Sequence, residues 1–397
     1  MGTFRFLIVL IAFQSLVPAL VRAAGVEALS PITEYPLPES LSSPYAIELD
    51  ASSRVWFTEK VGQHLAMFDP KDEQFRVHKL PESWGKVGPA QLAITDAGEI
   101  WFTIHRWAED AAQTNVLGKF SPSTNSFTRY EISLDASPQE IVIGEQGMLW
   151  LVAADRNQLL KVDAGTGKVV SYQIPTPDSN PQGLTIDHKG DVWFSEPNVN
   201  KIGRFSPNDG YFKEFDIPTA FANPGSMAVD VEGKVWFVER SSNRLGVLYP
   251  DLNRFDEALI PTLNALPHAI DADGQGRLWF LEYRGNKVGV FDPQSATFNE
   301  FDIPRYNSFP GEMVIDHEQN LIWFTESNAE SSQLGVLSIG LAGLPSKSGQ
   351  MDDIAEATKT VSNGVANDYL VPVVGLVLLT ILLGTGVWAT TRSGEVG

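Results

Sequence analysis

The sequence predicts an all-β protein: a seven-bladed β-propeller closed by an N-terminal outer strand, with a signal peptide before it and one C-terminal transmembrane helix after it. Three observations predict the propeller. First, tryptophans recur at intervals of 43 to 49 residues, at Trp56, Trp101, Trp150, Trp193, Trp236, Trp279 and Trp323. Second, a proline precedes each of them by 12 residues, or by 13 in the last unit. Third, each interval holds four short apolar or alternating runs separated by Gly, Asp, Asn and Pro, as in a propeller blade.

The first 24 residues are predicted to form a signal peptide. Arg5 is the only charged residue before the apolar run at residues 6–13. The small residues Ala23 and Ala24 then provide a cleavage site. We therefore expect the body of the protein, residues 25–343, to be exported.

The strand at residues 32–38 is predicted to close the ring. Six repeat units end in an outer strand, whereas the seventh stops after residues 333–339 and lacks one. Residues 32–38 match the ending of the other units, so they supply the missing strand of blade seven. Closing the sheet in this way leaves no strand edge exposed.

The C-terminal segments are predicted to anchor the propeller to a membrane. Residues 344–367 are polar and form a stalk. Residues 368–391 contain an uncharged apolar run, residues 370–389, that is long enough to cross a bilayer. Asp368 before the run and Arg392 after it favour a cytoplasmic tail at residues 392–397. The sequence thus predicts a single-pass cell-membrane protein with an extracellular propeller.

The composition excludes several kinds of site. The 397-residue chain has no cysteine, so disulfides, thiolate zinc sites and thiolate catalysis are excluded. Its formal charge of −20 argues against nucleic acid as a partner, because such surfaces need clustered Lys and Arg. The 33 glycines and 25 prolines are many for a helical protein and normal for a turn-rich β protein.

Antiparallel pairing predicts which residues line one mouth of the channel. The start of each inner strand and the end of each tryptophan strand lie at the same rim, so two rows of side chains meet there. The row after the prolines is Tyr45, Ala90, Gln139, Gln182, Gly225, His268 and Gly311, and the row three past the tryptophans is Glu59, Ile104, Ala153, Glu196, Glu239, Glu282 and Glu326. A repeated glutamate is more often a consensus residue of the repeat than a functional one.

His268 is the leading candidate for a functional residue, because it is the only histidine of its row. Its near-neutral titration suits a general base, although a lone histidine is more often structural. Ring closure makes blades six, seven and one neighbours, so Tyr45, Glu282, Glu312 and Glu326 are expected beside it. These carboxylates are candidate ligands for Mg²⁺ or Ca²⁺. A glutamate close to His268 is expected to raise its pKa.

Two further tryptophans lie outside the repeat, in the longer second unit. Trp84 and Trp107 are either packed within their loops or form an aromatic patch for a flat ligand such as a sugar or macrocycle. Gln139 and Gln182 of the first row are additional candidate ligand-binding residues. No organic cofactor is expected, because no phosphate-binding loop or nucleophile elbow is present.

The repeat also resembles that of a known family. Its unit, Pro-x-x-Ile…Gly-x-x-Trp-Phe-x-Glu…Asn-Lys-Ile-Gly…Glu-Tyr-x-Ile-Pro, looks like the repeat of the streptogramin (virginiamycin B) lyases over about residues 32–337. These are seven-bladed propellers that open a cyclic depsipeptide by metal-assisted elimination. The resemblance implies the same fold for this chain, and a divalent metal if the activity is present.

The resemblance also implies roles for two residues. Residues 266–270, Leu-Pro-His-Ala-Ile, are similar to the family segment that holds a catalytic histidine, which implies that role for His268. Residues 44–47, Pro-Tyr-Ala-Ile, are similar to the tyrosine-bearing first repeat, which implies a role for Tyr45. The family's next repeat carries Glu-Pro-His, but here Phe309 stands at the metal-ligand glutamate and Gly311 at the second histidine. The lyase site is therefore incomplete.

Three functions agree with these observations. The first, which the incomplete site favours, is binding of a small-molecule or surface ligand, or of a partner protein, at the propeller mouth. The second is a metal-dependent C–O lyase acting on an ester- or lactone-bearing compound, with His268 as the base. The third is a calcium-dependent lactonase, which the count of seven blades disfavours because such enzymes usually have six.

Overall fold

In a computed structural model, residues 30–106, 116–132 and 136–343 are described, and they belong to one compact unit. The predicted signal peptide, stalk, transmembrane helix, cytoplasmic tail and Trp107 lie outside these residues. The described residues form seven four-stranded antiparallel sheets, which confirms the predicted seven-bladed propeller. Within the same residues no helix is long and apolar enough to cross a membrane.

The strands are numbered along the chain, and in each blade the first of its strands lines the channel. The first strand of the chain is β1 (Ile32–Pro36). Blade one is β2 (Pro44–Leu49), β3 (Val55–Glu59), β4 (His64–Asp69) and β5 (Gln74–Lys79); blade two is β6 (Val87–Ile94), β7 (Ile100–Arg106), β8 (Val116–Ser121) and β9 (Ser126–Glu131); blade three is β10 (Glu140–Ile143), β11 (Met148–Ala153), β12 (Gln158–Asp163) and β13 (Val169–Gln173).

The remaining blades follow the same order. Blade four is β14 (Leu184–Ile186), β15 (Val192–Glu196), β16 (Lys201–Ser206) and β17 (Tyr211–Asp216); blade five is β18 (Pro224–Val229), β19 (Val235–Glu239), β20 (Arg244–Tyr249) and β21 (Arg254–Leu259); blade six is β22 (Pro267–Ala272), β23 (Leu278–Glu282), β24 (Lys287–Asp292) and β25 (Thr297–Asp302). Blade seven is β26 (Pro310–Asp316), β27 (Leu321–Glu326) and β28 (Gln333–Ser338), with β1 outermost. Short 3-10 helices span Glu82–Trp84, Glu145–Gly147, Ala154–Arg156 and Pro197–Val199.

Burial explains why the second strand of each blade is the most apolar. All five residues of β23 are buried, because the strand lies inside the sheet and both of its faces pack against neighbouring blades. The outer strand β21 has only exposed and half-buried residues, as expected at the outer edge of a blade. On β24, a Cβ at Gly289 would lie 2.2 Å from the Phe280 ring, so only glycine fits there.

An asparagine in the turn after the second strand joins each of several blades to the next. Asn286 adopts a left-handed conformation with φ of 57°. Its side-chain nitrogen donates hydrogen bonds to the carbonyls of Ile303 and Arg305, at 3.1 and 2.8 Å. Its side-chain oxygen accepts one from the backbone N–H of Ser308 at 2.7 Å. The turn is thereby fixed to the connection that leads into the following blade.

The N-terminal strand closes the ring as predicted. Strand β1 pairs antiparallel with β28, from Ile32 opposite Leu337 to Pro36 opposite Gln333. The Tyr35 ring packs against Phe68 of blade one, with centroids 4.7 Å apart. The first and last blades are therefore joined by backbone pairing and by aromatic packing.

A change of register follows the proline of the inner strand in blades one, two, five, six and seven. Such a bulge inserts a residue and re-aims the side chains that flank it. In blade six, for example, Pro267 pairs with Glu282 but the next pair is Ile270 with Phe280. Both the first and the second residue after the prolines consequently supply side chains to the channel mouth.

Candidate functional site

The inner strands of all seven blades converge on a central pocket. Its cavity volume is about 270 Å³. The lining residues are Tyr45, Gln91, Gln139, Glu140, Gln182, Gly183, Leu184, Ser226, Arg240, His268 and Glu312. Five of them are predicted site residues, namely Tyr45, Gln139, Gln182, His268 and Glu312. The predicted rim is therefore the rim that carries this pocket.

The other predicted metal ligands lie elsewhere. Glu282 and Glu326 are fully buried and do not line the pocket. Each ends the second strand of its blade, one strand removed from the channel. Glu282 instead faces Glu300, Thr262 and Lys287, farther out at the same rim. The expectation that both carboxylates stand beside His268 is wrong, because the inner strand separates them from the channel.

Trp84 is part of the core of the early blades. It ends the 3-10 helix Glu82–Trp84 and is 7% exposed. Its ring lies 6.4 Å from that of Phe102 and 6.1 Å from that of Phe127. The structure thus packs Trp84 within its loop rather than at the pocket. Trp107, its predicted companion in an aromatic patch, is outside the described residues.

His268 has a neutral ring with a defined tautomer. Its Nδ1 lies 3.0 Å from the backbone oxygen of Gly311 in the next blade. Because a carbonyl oxygen only accepts, Nδ1 carries the hydrogen in the neutral ring and Nε2 keeps a free lone pair. Burial, helped by the positive charge of Arg240, lowers the pKa of His268 to about 4. The predicted rise in its pKa is wrong, although a Glu312 carboxyl oxygen lies 3.8 Å from Nδ1.

Two carboxyl groups share the pocket. Burial raises the pKa of Glu312 to about 7, and the nearby Arg240 only partly opposes this rise. Burial also raises the pKa of Glu140, and the charge of Glu312 raises it further. With one guanidinium and two carboxyls in the pocket, a single proton on the carboxyl pair makes the cluster neutral. The arrangement therefore favours holding one proton at neutral pH.

Arg240 is the cation of the pocket. Its Nη1 donates a 2.7 Å hydrogen bond to the side-chain oxygen of Gln182. A Cβ at Gly225 would lie 2.5 Å from Nε of Arg240, so the glycine of the first row makes room for this side chain. Arg240 follows Glu239 directly and was not part of either predicted row. The sequence signal that marks it is a charged residue four positions past Trp236.

The other residues that the sequence analysis missed share one position, and in blade two the bulge explains why its side chain reaches the pocket. Gln91 and Glu140 are second after their prolines, a position left out of the predicted rows. Threonines of the second strands hold such positions in place. The Thr325 hydroxyl accepts a 3.1 Å hydrogen bond from the N–H of Glu312 and donates one of 3.2 Å to the carbonyl of Tyr45. Blade seven thereby fixes two pocket residues at once.

The pocket does not fit a divalent metal. Among the described residues, no three His, Asp or Glu side chains are grouped so as to hold an ion. The positive charge that acts on the pocket's two carboxyls is instead the guanidinium of Arg240. Phe309 and Gly311, at the positions where the resemblance implies a glutamate and a histidine, carry no ligand atoms in their side chains. The residues present thus supply a guanidinium rather than a metal centre.

The chain matches the model of the virginiamycin B lyase family over residues 30–337. It is similar to virginiamycin B lyase from Staphylococcus aureus, with 28% identity and a TM-score of 0.68 over 78% of this chain and 99% of that one. A catalytically inactive variant of the same enzyme, crystallised with quinupristin, gives 27% identity and a TM-score of 0.69, covering 78% of this chain and 99% of that one.

Other solved structures are similar to this chain in fold alone. YCF48 from Cyanidioschyzon merolae has a TM-score of 0.60 at 11% identity, over 77% of this chain and 98% of that one. No curated protein matches the chain. The family match, by contrast, covers the whole propeller and coincides with the repeat that the tryptophans mark. The chain therefore belongs to the virginiamycin B lyase family.

Proposed function

We propose that this propeller binds a polar ligand of peptide or depsipeptide type in its central pocket. The observation that carries the proposal is that Arg240, held by its hydrogen bond to Gln182, lines the same pocket as the protonatable pair Glu140 and Glu312. A guanidinium donates to a carbonyl or carboxylate oxygen, and the carboxyl pair accepts from an N–H or O–H group. The side-chain amides of Gln91 and Gln139 add donors and acceptors at the same mouth.

A second candidate is a C–O lyase reaction at the same pocket, favoured by the free Nε2 of His268. In such an elimination Nε2 takes a proton from the carbon next to the ester-bearing carbon. A C=C bond forms, the C–O bond breaks and a carboxylate leaves. Binding ranks first because a histidine with a pKa of about 4 is a weak base. The seven blades disfavour a lactonase of the six-bladed type.

Measuring both the binding and the turnover of quinupristin, the compound crystallised with a relative, distinguishes the two candidate functions. The full-length protein in detergent is titrated calorimetrically, and the products are separated by chromatography, with and without Mg²⁺. Binding without conversion, weakened in Arg240→Met, supports the binding function. Conversion that His268→Ala abolishes establishes the lyase. Binding that Arg240→Met leaves unchanged refutes the role given to this residue.

The electrostatic basis of the pocket is testable without a ligand. Because the charge of Arg240 lowers the pKa of His268, Arg240→Met is expected to raise that pKa from about 4. The measurement is an NMR titration of the ring Cε1–H. His78, on the outer strand β5 beside Asn125, serves as the control and should titrate as in the wild type. An unchanged His268 titration would contradict the assignment of Arg240 as the pocket's cation.

We also propose that the propeller stands on the outer face of a cell membrane. The signal-like segment at residues 1–24 and the apolar run at residues 370–389 support this location. A tethered propeller presents its mouth to ligands outside the cell. This location suits a surface-binding module as well as an enzyme that acts on exogenous compounds.

A further inference from the structure

The rim opposite the central pocket carries a repeated carboxylate that is buried or half-buried. In blades one, four, five and six the tryptophan indole N–H donates a 2.9 Å hydrogen bond to an aspartate six residues earlier in the chain. The same aspartate also organises the turn. The second oxygen of Asp187, for example, accepts from the backbone N–H groups of Lys189 and Asp191 at 2.9 and 3.0 Å.

Blade three lacks this aspartate. The position six residues before Trp150 is Gly144, so no side chain there accepts from the indole N–H. The glycine is extended, with φ of −95°, and its α-carbon faces the Trp150 ring. Blades two and seven also depart from the pattern, with Thr95 and His317 at this position. Only blade three combines a missing side chain with the cavity described next.

Blade three also lacks a carboxylate that both of its neighbouring blades have. Two residues before the tryptophan, blade two has Glu99 and blade four has Asp191, and each faces the cation of the third strand, Lys119 at 3.1 Å and Arg204 at 3.7 Å. Blade three has Met148 at this position. It nevertheless keeps the cation, because Lys161 lies opposite Trp150 with its Nζ 5.4 Å from the ring centroid.

A cavity of about 230 Å³ opens at this place, between blades three and four. Its lining includes Trp150, Lys161, Lys189, Met148, Ile186 and, at the solvent side, Glu145. Neither lysine forms an ion pair with another residue in the part of the chain that the structure describes. The cavity thus brings together an indole donor and two ammonium groups, next to positions where neighbouring blades have carboxylates. One exposed carboxylate, that of Glu145, offsets part of the positive charge.

We propose that this cavity binds a carboxylate group. One oxygen accepts from the Trp150 indole N–H, as the aspartate does in blade four, and the other faces Lys161 and Lys189. The ligand replaces a group that the repeat itself supplies elsewhere, so planar carboxylate geometry is favoured over a tetrahedral anion. The carboxylate belongs either to a small acid or to an acidic side chain of a peptide.

The test is an NMR titration of the full-length protein, ¹⁵N-labelled at its tryptophan side chains, with the Trp150 signal assigned by Trp150→Phe. Sodium acetate is one probe. A blocked short peptide with one glutamate is the other, and its glutamine counterpart and sodium chloride are the controls. A saturable shift of the Trp150 indole signal is expected. Trp193 is the matched internal control, because Asp187 already accepts from its indole, and it should not move.

Two kinds of variant sharpen the test. Lys161→Met with Lys189→Met removes both cations and is expected to weaken binding about tenfold or more. Gly144→Asp supplies the missing carboxylate internally and is expected to abolish binding; a Cβ there lies 3.1 Å from the indole, so the ring must shift slightly. The lysine variants test the proposal even if that variant does not fold.

Each outcome decides a point. A response to acetate means that a small acid suffices, and a response only to the glutamate peptide identifies a peptide as the source of the carboxylate. No saturable Trp150 shift with either probe overturns the proposal. Equal binding by the double lysine variant, or an equal response to the glutamine peptide, overturns it as well. None of these results depends on the central pocket.

Discussion

At the scale of single residues, burial sets the charge of the glutamates that end the second strands of blades four to seven. The pKa values of Glu196 and Glu239 rise to about 7, and those of Glu282 and Glu326 rise to about 8. Desolvation by burial is the largest cause of the raised pKa in each case. These side chains therefore hold protons at a pH where an exposed glutamate is ionised, and they act as structural parts of their blades.

This protonation predicts how stability depends on pH. In the unfolded chain Glu282 ionises near its ordinary pKa, whereas in the folded chain it keeps its proton up to about pH 8. The folded state binds more protons across that window, so stability falls as the pH rises from about 5 to 8. The glutamine of Glu282→Gln cannot ionise, so the free energy of unfolding of this variant should decrease less between pH 5 and pH 8. Urea unfolding at pH 5 and at pH 8 measures the difference.

The exposed Glu131, at the end of β9, provides the matched control. Glu131→Gln should leave the difference between the two pH values as it is in the wild type. A Glu282→Gln protein that loses as much stability between pH 5 and 8 as the wild type would show that Glu282 is ionised in the fold.

At the scale of elements, the pairing of β1 with β28 carries the closure of the ring. The aromatic side chain of Tyr35 lies between the two ends of the propeller, 4.7 Å from Phe68 of blade one and 5.8 Å from Trp323 of blade seven, centroid to centroid. Closure thus rests on a short strand and one well-placed ring. The loss of that ring should loosen both terminal blades together.

Tyr35→Ala is accordingly expected to lower the free energy of unfolding by about 1–3 kcal/mol. Tyr211, on the outer strand β17 of blade four, is 59% exposed and is the control. Tyr211→Ala should change stability by less than about 0.5 kcal/mol. Denaturant unfolding of the three proteins provides the comparison. Equal effects of the two substitutions would mean that the Tyr35 contacts add no stability to the junction between blades seven and one.

At the scale of the whole molecule, the ring brings together residues that are far apart in sequence. Tyr45 and Glu312 are 267 positions apart but line one pocket, because blade seven closes against blade one. Thr325 bridges the two by its hydrogen bonds. Any function at this pocket therefore depends on an intact ring.

The orientation in the membrane is a prediction at the same scale. If the propeller is outside and residues 392–397 are inside, a protease added to intact cells should release the propeller and leave a C-terminal tag protected. Immunoblots for a propeller epitope and for the tag follow the two parts. Permeabilised cells, in which the tag should be cut, serve as the control. A tag cleaved in intact cells would reverse the proposed orientation.

The sequence alone determined the number of blades, the closing strand and the rim that carries the pocket. These properties follow from local patterns, since the tryptophan period counts the blades and antiparallel pairing fixes which strand ends share a rim. His268 and Tyr45 were found for the same reason, because each follows the proline of its own inner strand.

Only the tertiary structure decided the chemistry of the pocket. Arg240 reaches it through the space left by Gly225, and Glu140 joins it at the second position after its proline. Burial together with the charge of Arg240 keeps His268 neutral, whereas the sequence predicted a raised pKa. A pKa depends on every group that faces the site from any blade and on how much solvent the closed ring excludes. Neither quantity can be obtained from the repeat of a single blade.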